Sequence, residues 1–253
     1  MTATHSKNNH GDELEEEVSD IVLSHFDRLG IQPIVLKRTK RKPHSSKNDR
    51  GVRLVKLNGG EWVSLESLKN SHWFRPLLVE QEPYVHAKNK STGDFCKHDN
   101  HLYLPASLSS PNKAYYYHGL WEVKNQDVGG SNDEKIWDGF GAQIQRGYYW
   151  APTAALLLGG EEFSSMPMGD LRNQIQRYVQ DARIANNHPR GENRYVPQSV
   201  DVTNSIEEYI ESIFEGWENS LTEEDLEMFR SGLKIEHFQI VDSQKKMEQK
   251  LNE

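Results

Sequence analysis

The spacing of apolar and polar positions divides the chain into helices and strands. Leu14, Val18, Ile21, Val22, Phe26 and Leu29 recur at about 100° per residue, which predicts an amphipathic helix over residues 12–29 with Gly30 as its stop. Glu15 falls inside that apolar stripe. A carboxylate there is costly unless a cation or a hydrogen-bond donor meets it, although a wet position at the helix start also accounts for it. Residues 32–36 and 52–57 read as strands, Asn58-Gly59-Gly60 as a turn, and residues 61–70 as a short helix. Residues 84–104 give short extended pieces, interrupted by Lys88 to Gly93 and by His98-Asp99-Asn100, which reads as a turn.

A loop with two prolines then returns the chain to Tyr115–Trp121, an aromatic and apolar run that predicts a buried strand. Helices follow over 137–150, stopped by Pro152, and over 169–186, 206–217 and 221–233, with apolar strands over 153–158 and 235–241. Gln143-Ile144-Gln145-Arg146 is echoed by Gln174-Ile175-Gln176-Arg177, too short a match to indicate a repeat architecture.

The strand ending at Trp121 runs directly into Glu122 and Lys124. Residues two apart on a strand share a face, so a carboxylate and an ammonium stand side by side where an apolar strand emerges. Packing gives no reason for that ending, and this pair is the feature of the sequence that most needs a chemical explanation.

Composition narrows the setting. A chain of 253 residues can bury a full core, and a net charge of −8 excludes a generally basic surface. Within that acidic background, Lys37, Arg38, Lys40, Arg41, Lys42, Lys47 and Arg50 face a single acid, Asp49, in a loop marked by Pro43, a local pattern suited to phosphate contact. The lone Cys96 permits no internal disulfide, and no apolar segment suits a signal peptide or a membrane span. These features predict a protein of the cytoplasm with no membrane partner. Cys96, His98 and His101 lack the partner ligands of a zinc site, and His98 to His101 lack the other parts of a histidine-metal nuclease. Gly129-Gly130 and Gly159-Gly160 are turns rather than phosphate loops, since Lys-Ser/Thr follows neither. The tyrosines at 115–117 and 148–149, with Trp150, suit core packing better than base stacking.

Hydrolysis of a phosphodiester needs a hard divalent ion on carboxylate oxygens and a cation near the attacking oxygen or the developing charge. Glu122 and Lys124 supply one of each, and a second carboxylate must come from a neighbouring strand. Asp94 and Asp99 are the upstream candidates. These residues resemble the PD-(D/E)xK nuclease superfamily. More narrowly, Glu122, Lys124, Gln126, Gly130, Ser131, Glu134 and Lys135 form a pattern similar to type II restriction endonucleases. Gly11, Leu14, Glu15 and Val18 resemble the first helix of that fold, and Gln145-x-x-x-Tyr149 resembles its RecB-like branch.

The resemblance covers about residues 11–160. It implies a restriction-endonuclease-like α/β fold with a mixed central sheet flanked by helices, in a prokaryotic cell; read from the residues themselves, a polar tail at 1–10 precedes this core and a mostly helical C-terminal part, 161–253, follows and packs on it. It further implies that Asp94 and Glu122 bind Mg²⁺, with Mn²⁺ as a substitute, and that Lys124 positions or polarises the attacking water. Glu15 and Gln126 would support them from behind. Lys37, Arg38, Lys40, Arg41, Lys42, Lys135, Gln145, Arg190 and Arg194 would contact DNA, and a two-fold homodimer would cut both strands.

Two departures bear on the first carboxylate. Gly93 stands where the family has proline, and about ten extra loop residues precede the Glu122 strand, so Asp99 rivals Asp94. Asp94 is preferred because Phe95-Cys96 continues it as a strand. The alternatives are a nuclease acting on DNA ends or RNA in repair, recombination or defence, and a nucleic-acid-binding protein on a nuclease-like fold that has lost catalysis.

Overall fold

The computed structural model describes residues 9–36, 52–57, 62–64, 76–88, 95–107, 109, 115–125, 133–160, 168–188, 195–231 and 235–241. The described chain is an α/β protein built on a six-stranded mixed sheet with helices on both faces. In chain order its elements are α1 (Asn9–Leu29), β1 (Ile34–Leu36), β2 (Val52–Leu57), β3 (Trp62–Ser64), β4 (Leu77–Lys88), β5 (Phe95–Pro105) and β6 (Tyr115–Asn125). These are followed by α2 (Asp133–Gln145), β7 (Thr153–Gly159), α3 (Met168–Asn187), β8 (Ser199–Thr203), α4 (Ile206–Glu218), α5 (Glu223–Ser231) and β9 (Ile235–Val241).

The main sheet has the order β1-β4-β5-β6-β7-β8. The β4–β5 and β5–β6 pairs are antiparallel, and β1–β4, β6–β7 and β7–β8 are parallel. A smaller sheet, β3-β2-β9, is antiparallel throughout. Trp62–Ser64 therefore form a strand paired with Leu54–Lys56, not the start of the helix expected over 61–70. Cross-strand pairing has overridden a local helical pattern there.

Strand alternation sends side chains to two separate cores. On one face Leu102, Leu104, Trp121, Val123, Ala155 and Leu157 meet the apolar stripe of α1, together with Ile210, Phe214 and Trp217 of α4 and Phe229 of α5. On the other, Leu120, Ala154, Leu156, Leu158, Val200 and Val202 meet Phe140 and Ile144 of α2 and Leu171, Ile175 and Val179 of α3. Strand β7, buried on both faces, is accordingly apolar at almost every position. The C-terminal part is built into this framework, since β8 extends the main sheet and α4 lies in the same core as α1.

Phe214 illustrates the strength of that second layer. It is fully buried, stacks on His25 at 4.7 Å, and meets Phe26 and Trp217 edge-on. Phe214→Ala is expected to cost about 3–5 kcal/mol of unfolding free energy, measurable by urea denaturation at constant pH.

The helix ends follow local rules. Gly30 closes α1 with Ile31 N–H donating to Phe26 O and Gly30 N–H to Asp27 O. Helix α5 begins with a reciprocal cap, Thr222 N–H donating to Asp225 Oδ2 while Asp225 N–H donates to Thr222 Oγ1. Helix α2 stops at Gln145, short of the expected Trp150. Gly147 adopts φ 73°, and Tyr148 N–H reaches back to Gln143 O, so a left-handed glycine ends the helix before Pro152 can. That turn sets the position of Tyr149 beneath the sheet.

Candidate active site

Glu122 and Lys124 lie near the C-terminal end of β6, whose neighbour on one side is the parallel strand β7, with Glu122 opposite Leu156 and Lys124 opposite Leu158. On the other side β6 pairs with β5 as far as Trp121 opposite Asn100. One residue further along β5 stands Asp99. Its Oδ2 accepts the Val123 N–H at 2.7 Å, so a carboxylate supplies the acceptor for this β6 amide. The expectation of a turn at His98-Asp99-Asn100 is therefore corrected, because β5 runs unbroken through all three.

These polar residues are held in a strand by tertiary partners. His98 Nε2 lies 2.9 Å from Tyr148 O, and Asn100 Nδ2 donates to Ser19 Oγ of α1 at 3.1 Å. A turn pattern read from short range has no access to such partners.

Asp99 and Glu122 converge on one cation. Lys124 Nζ is 2.6 Å from Glu122 Oε1 and 3.6 Å from Asp99 Oδ2. The carboxylate side chains are 14% and 12% exposed against 37% for the lysine, so the acids are recessed and the ammonium reaches outward. Burial, then the charge of Glu122, push the Asp99 carboxyl up to about 7, against the opposing pull of Lys124 and the Val123 N–H. Burial alone would lower the Lys124 ammonium, but Glu122, Asp99 and, more weakly, Glu15 hold it well above the ordinary lysine range. Glu15, half-buried on α1, therefore acts on this centre from the other face of the sheet.

Glu122 has a further partner that the sequence did not reveal. The Tyr149 hydroxyl lies 3.3 Å from Glu122 Oε2 and 3.2 Å from Gln143 Oε1. Tyr149 is fully buried, flanked by His98 and Phe140 with ring centroids at 4.5 and 5.0 Å. The sequence signals that bear on Tyr149 are the Gln145-x-x-x-Tyr149 resemblance and Gly147, whose turn carries the chain back under Glu122.

The remaining expected site residues divide as follows. Gln145 is the last residue of α2 and is half-buried, and Lys135 lies on the same helix. Asp94, Gln126, Lys37, Arg38, Lys40, Arg41, Lys42, Arg190 and Arg194 lie outside the described residues. Of the two rival aspartates only Asp99 is among the described residues, and it stands beside Glu122 and Lys124.

The donor set suits a hard divalent ion. Two recessed carboxylates already share a cationic partner in Lys124, and Mg²⁺ takes one or two carboxylates with water and substrate oxygens completing its shell. No group of three His, Cys, Asp or Glu side chains able to hold a metal ion occurs among the described residues, so the site offers the two carboxylates of Asp99 and Glu122. Among those residues, too, no helix is long and apolar enough to cross a membrane. Comparison with protein-family models, curated proteins and solved structures gave no match to this chain.

Proposed function

We propose that this protein is a Mg²⁺-dependent endonuclease of the PD-(D/E)xK type, cutting DNA in the manner of a type II restriction enzyme and acting as a homodimer. The observation that carries the reading is the convergence of Asp99 and Glu122 on the Lys124 ammonium at the sheet end where β5 and β6 cease to pair. In this reading Asp99 takes the place that the sequence resemblance gave to Asp94. The bound ion would polarise a phosphate oxygen and ease deprotonation of a water.

The protein groups have separable tasks. Asp99 and Glu122 present the oxygens that hold the ion. Lys124, charged and partly exposed, orients a water by hydrogen bonding and offsets negative charge as it develops on the phosphate. Glu15 adds a weaker negative charge to those of Glu122 and Asp99, which together favour the protonated lysine. The mixed α/β sheet flanked by helices is compatible with a restriction-endonuclease-like fold.

The test is incubation of the purified protein with mixed plasmid DNA, in Mg²⁺ and in EDTA. Discrete fragments in Mg²⁺ and intact plasmid in EDTA are expected. Degradation to small fragments would favour a nuclease acting on ends, and DNA left uncut in every divalent ion would sink the enzymatic reading.

A further inference from the structure

A hydroxyl has one hydrogen to give, and two acceptors among the described residues lie within reach of Tyr149, Glu122 Oε2 and Gln143 Oε1. The carboxylate is the stronger acceptor, because hydrogen bonds to an ionised oxygen are about twice as strong as neutral ones. Tyr149 therefore engages Oε2, while Oε1 is held by the Lys124 ammonium at 2.6 Å, the contact that an entering cation displaces. The tyrosine cannot drift to relax this arrangement. Its ring is fully buried between His98 and Phe140, and its backbone follows directly from the Gly147 turn that closes α2.

Resting on the endonuclease reading of the same carboxylates, we propose that Tyr149 is a positioning residue that sets metal preference, by holding Glu122 through Oε2 so that a cation displacing Lys124 meets Oε1 first. Contact through one oxygen suits the small, octahedral Mg²⁺ and Mn²⁺. Ca²⁺ accepts both oxygens of a carboxylate and a larger, more flexible shell, so the clasp works against it. Gln143 is the reserve acceptor that keeps the hydroxyl satisfied when an ion draws on Glu122.

The experiment measures metal binding directly, by titrating Mn²⁺, Mg²⁺ and Ca²⁺ into the metal-free full chain and following the thermal unfolding midpoint. Wild type, Tyr149→Phe and Gln143→Leu are compared, with the midpoints in EDTA reporting whether each variant is folded. Tyr149→Phe should weaken Mn²⁺ and Mg²⁺ about tenfold while Ca²⁺ binds as well as before or better. Gln143→Leu, which keeps the hydroxyl and frees it for Glu122, should retain the wild-type order of ions. An unchanged order in Tyr149→Phe overturns the proposal, as does equal weakening of all three ions in both variants, which would indicate simple loosening. Failure of every ion to shift wild type would overturn the endonuclease reading together with this one, whereas binding with an unchanged order overturns this one alone.

Discussion

Lys124→Ala is expected to lower Mg²⁺-dependent DNA cleavage by about a thousandfold, in line with losing one preorganised charge from a site where charge develops. The same substitution should tighten metal binding. Lys124 Nζ contacts the oxygens that would hold the ion, at 2.6 Å from Glu122 and 3.6 Å from Asp99. A divalent cation entering the site must therefore displace part of that contact and bear the repulsion of a nearby positive charge. Removing the ammonium relieves both effects, and a gain in Mn²⁺ affinity of about tenfold is expected. A purely structural lysine would not give this pair of opposite changes. Single-turnover cleavage and calorimetric Mn²⁺ titration, run on one preparation, separate them.

Asp99→Asn should abolish cleavage and stabilise the metal-free protein at alkaline pH. The sign follows from the direction of the shift. Burial and the charge of Glu122 raise the Asp99 carboxyl from 3.8 to about 7 in the folded chain. Between those values the native state holds a proton that the unfolded state has lost, so stability falls as pH rises through this window. The contribution is complete below 3.8 and lost as pH rises through about 7. An asparagine stays neutral and can still accept the Val123 N–H, so the variant should melt about 5 °C higher than wild type at pH 8 in EDTA. The two proteins should converge towards pH 4 to 5. Saturating Mg²⁺ should reverse the order at pH 8, since only the wild type gains from the ion. Melting curves across this pH range, with and without Mg²⁺, check all three statements.

An inactivating change that stabilises the empty protein is the expected mark of a site where like charges are held together for use. It also distinguishes a site from a surface ion pair, whose removal would be nearly neutral.

The parts of this architecture that depend on periodicity were legible in the sequence. The stripe Leu14 to Leu29 packs in the core as its spacing predicts, apart from Ile21, which is only partly buried. The apolar β7 and the helices α3 and α4 fall within a residue or so of their expected bounds. Glu122 and Lys124 could be singled out because a charged pair at the end of a buried strand has no packing explanation.

Apart from the end of α2, which the local turn at Gly147 sets, what failed depended on partners distant in sequence. His98, Asp99 and Asn100 are three polar residues in a row, and local rules make them a turn. In the folded chain Tyr148, Val123 and Ser19 each bond one polar atom of the three, and they become strand. Tyr149 read as core packing. It is that, but its hydroxyl emerges on Glu122, and no spacing in the sequence connects position 149 to position 122. The C-terminal part gave no hint that β8 would extend the central sheet, because a five-residue strand carries little pattern of its own.

The central claim is that Asp99, Glu122 and Lys124 form one metal-dependent hydrolytic centre. Its most direct test is cleavage of one plasmid in Mg²⁺ by wild type, Asp99→Asn and Asp94→Asn. Cutting by wild type and Asp94→Asn, with none by Asp99→Asn, is the predicted result; full cutting by Asp99→Asn, or no cutting by wild type, would contradict it.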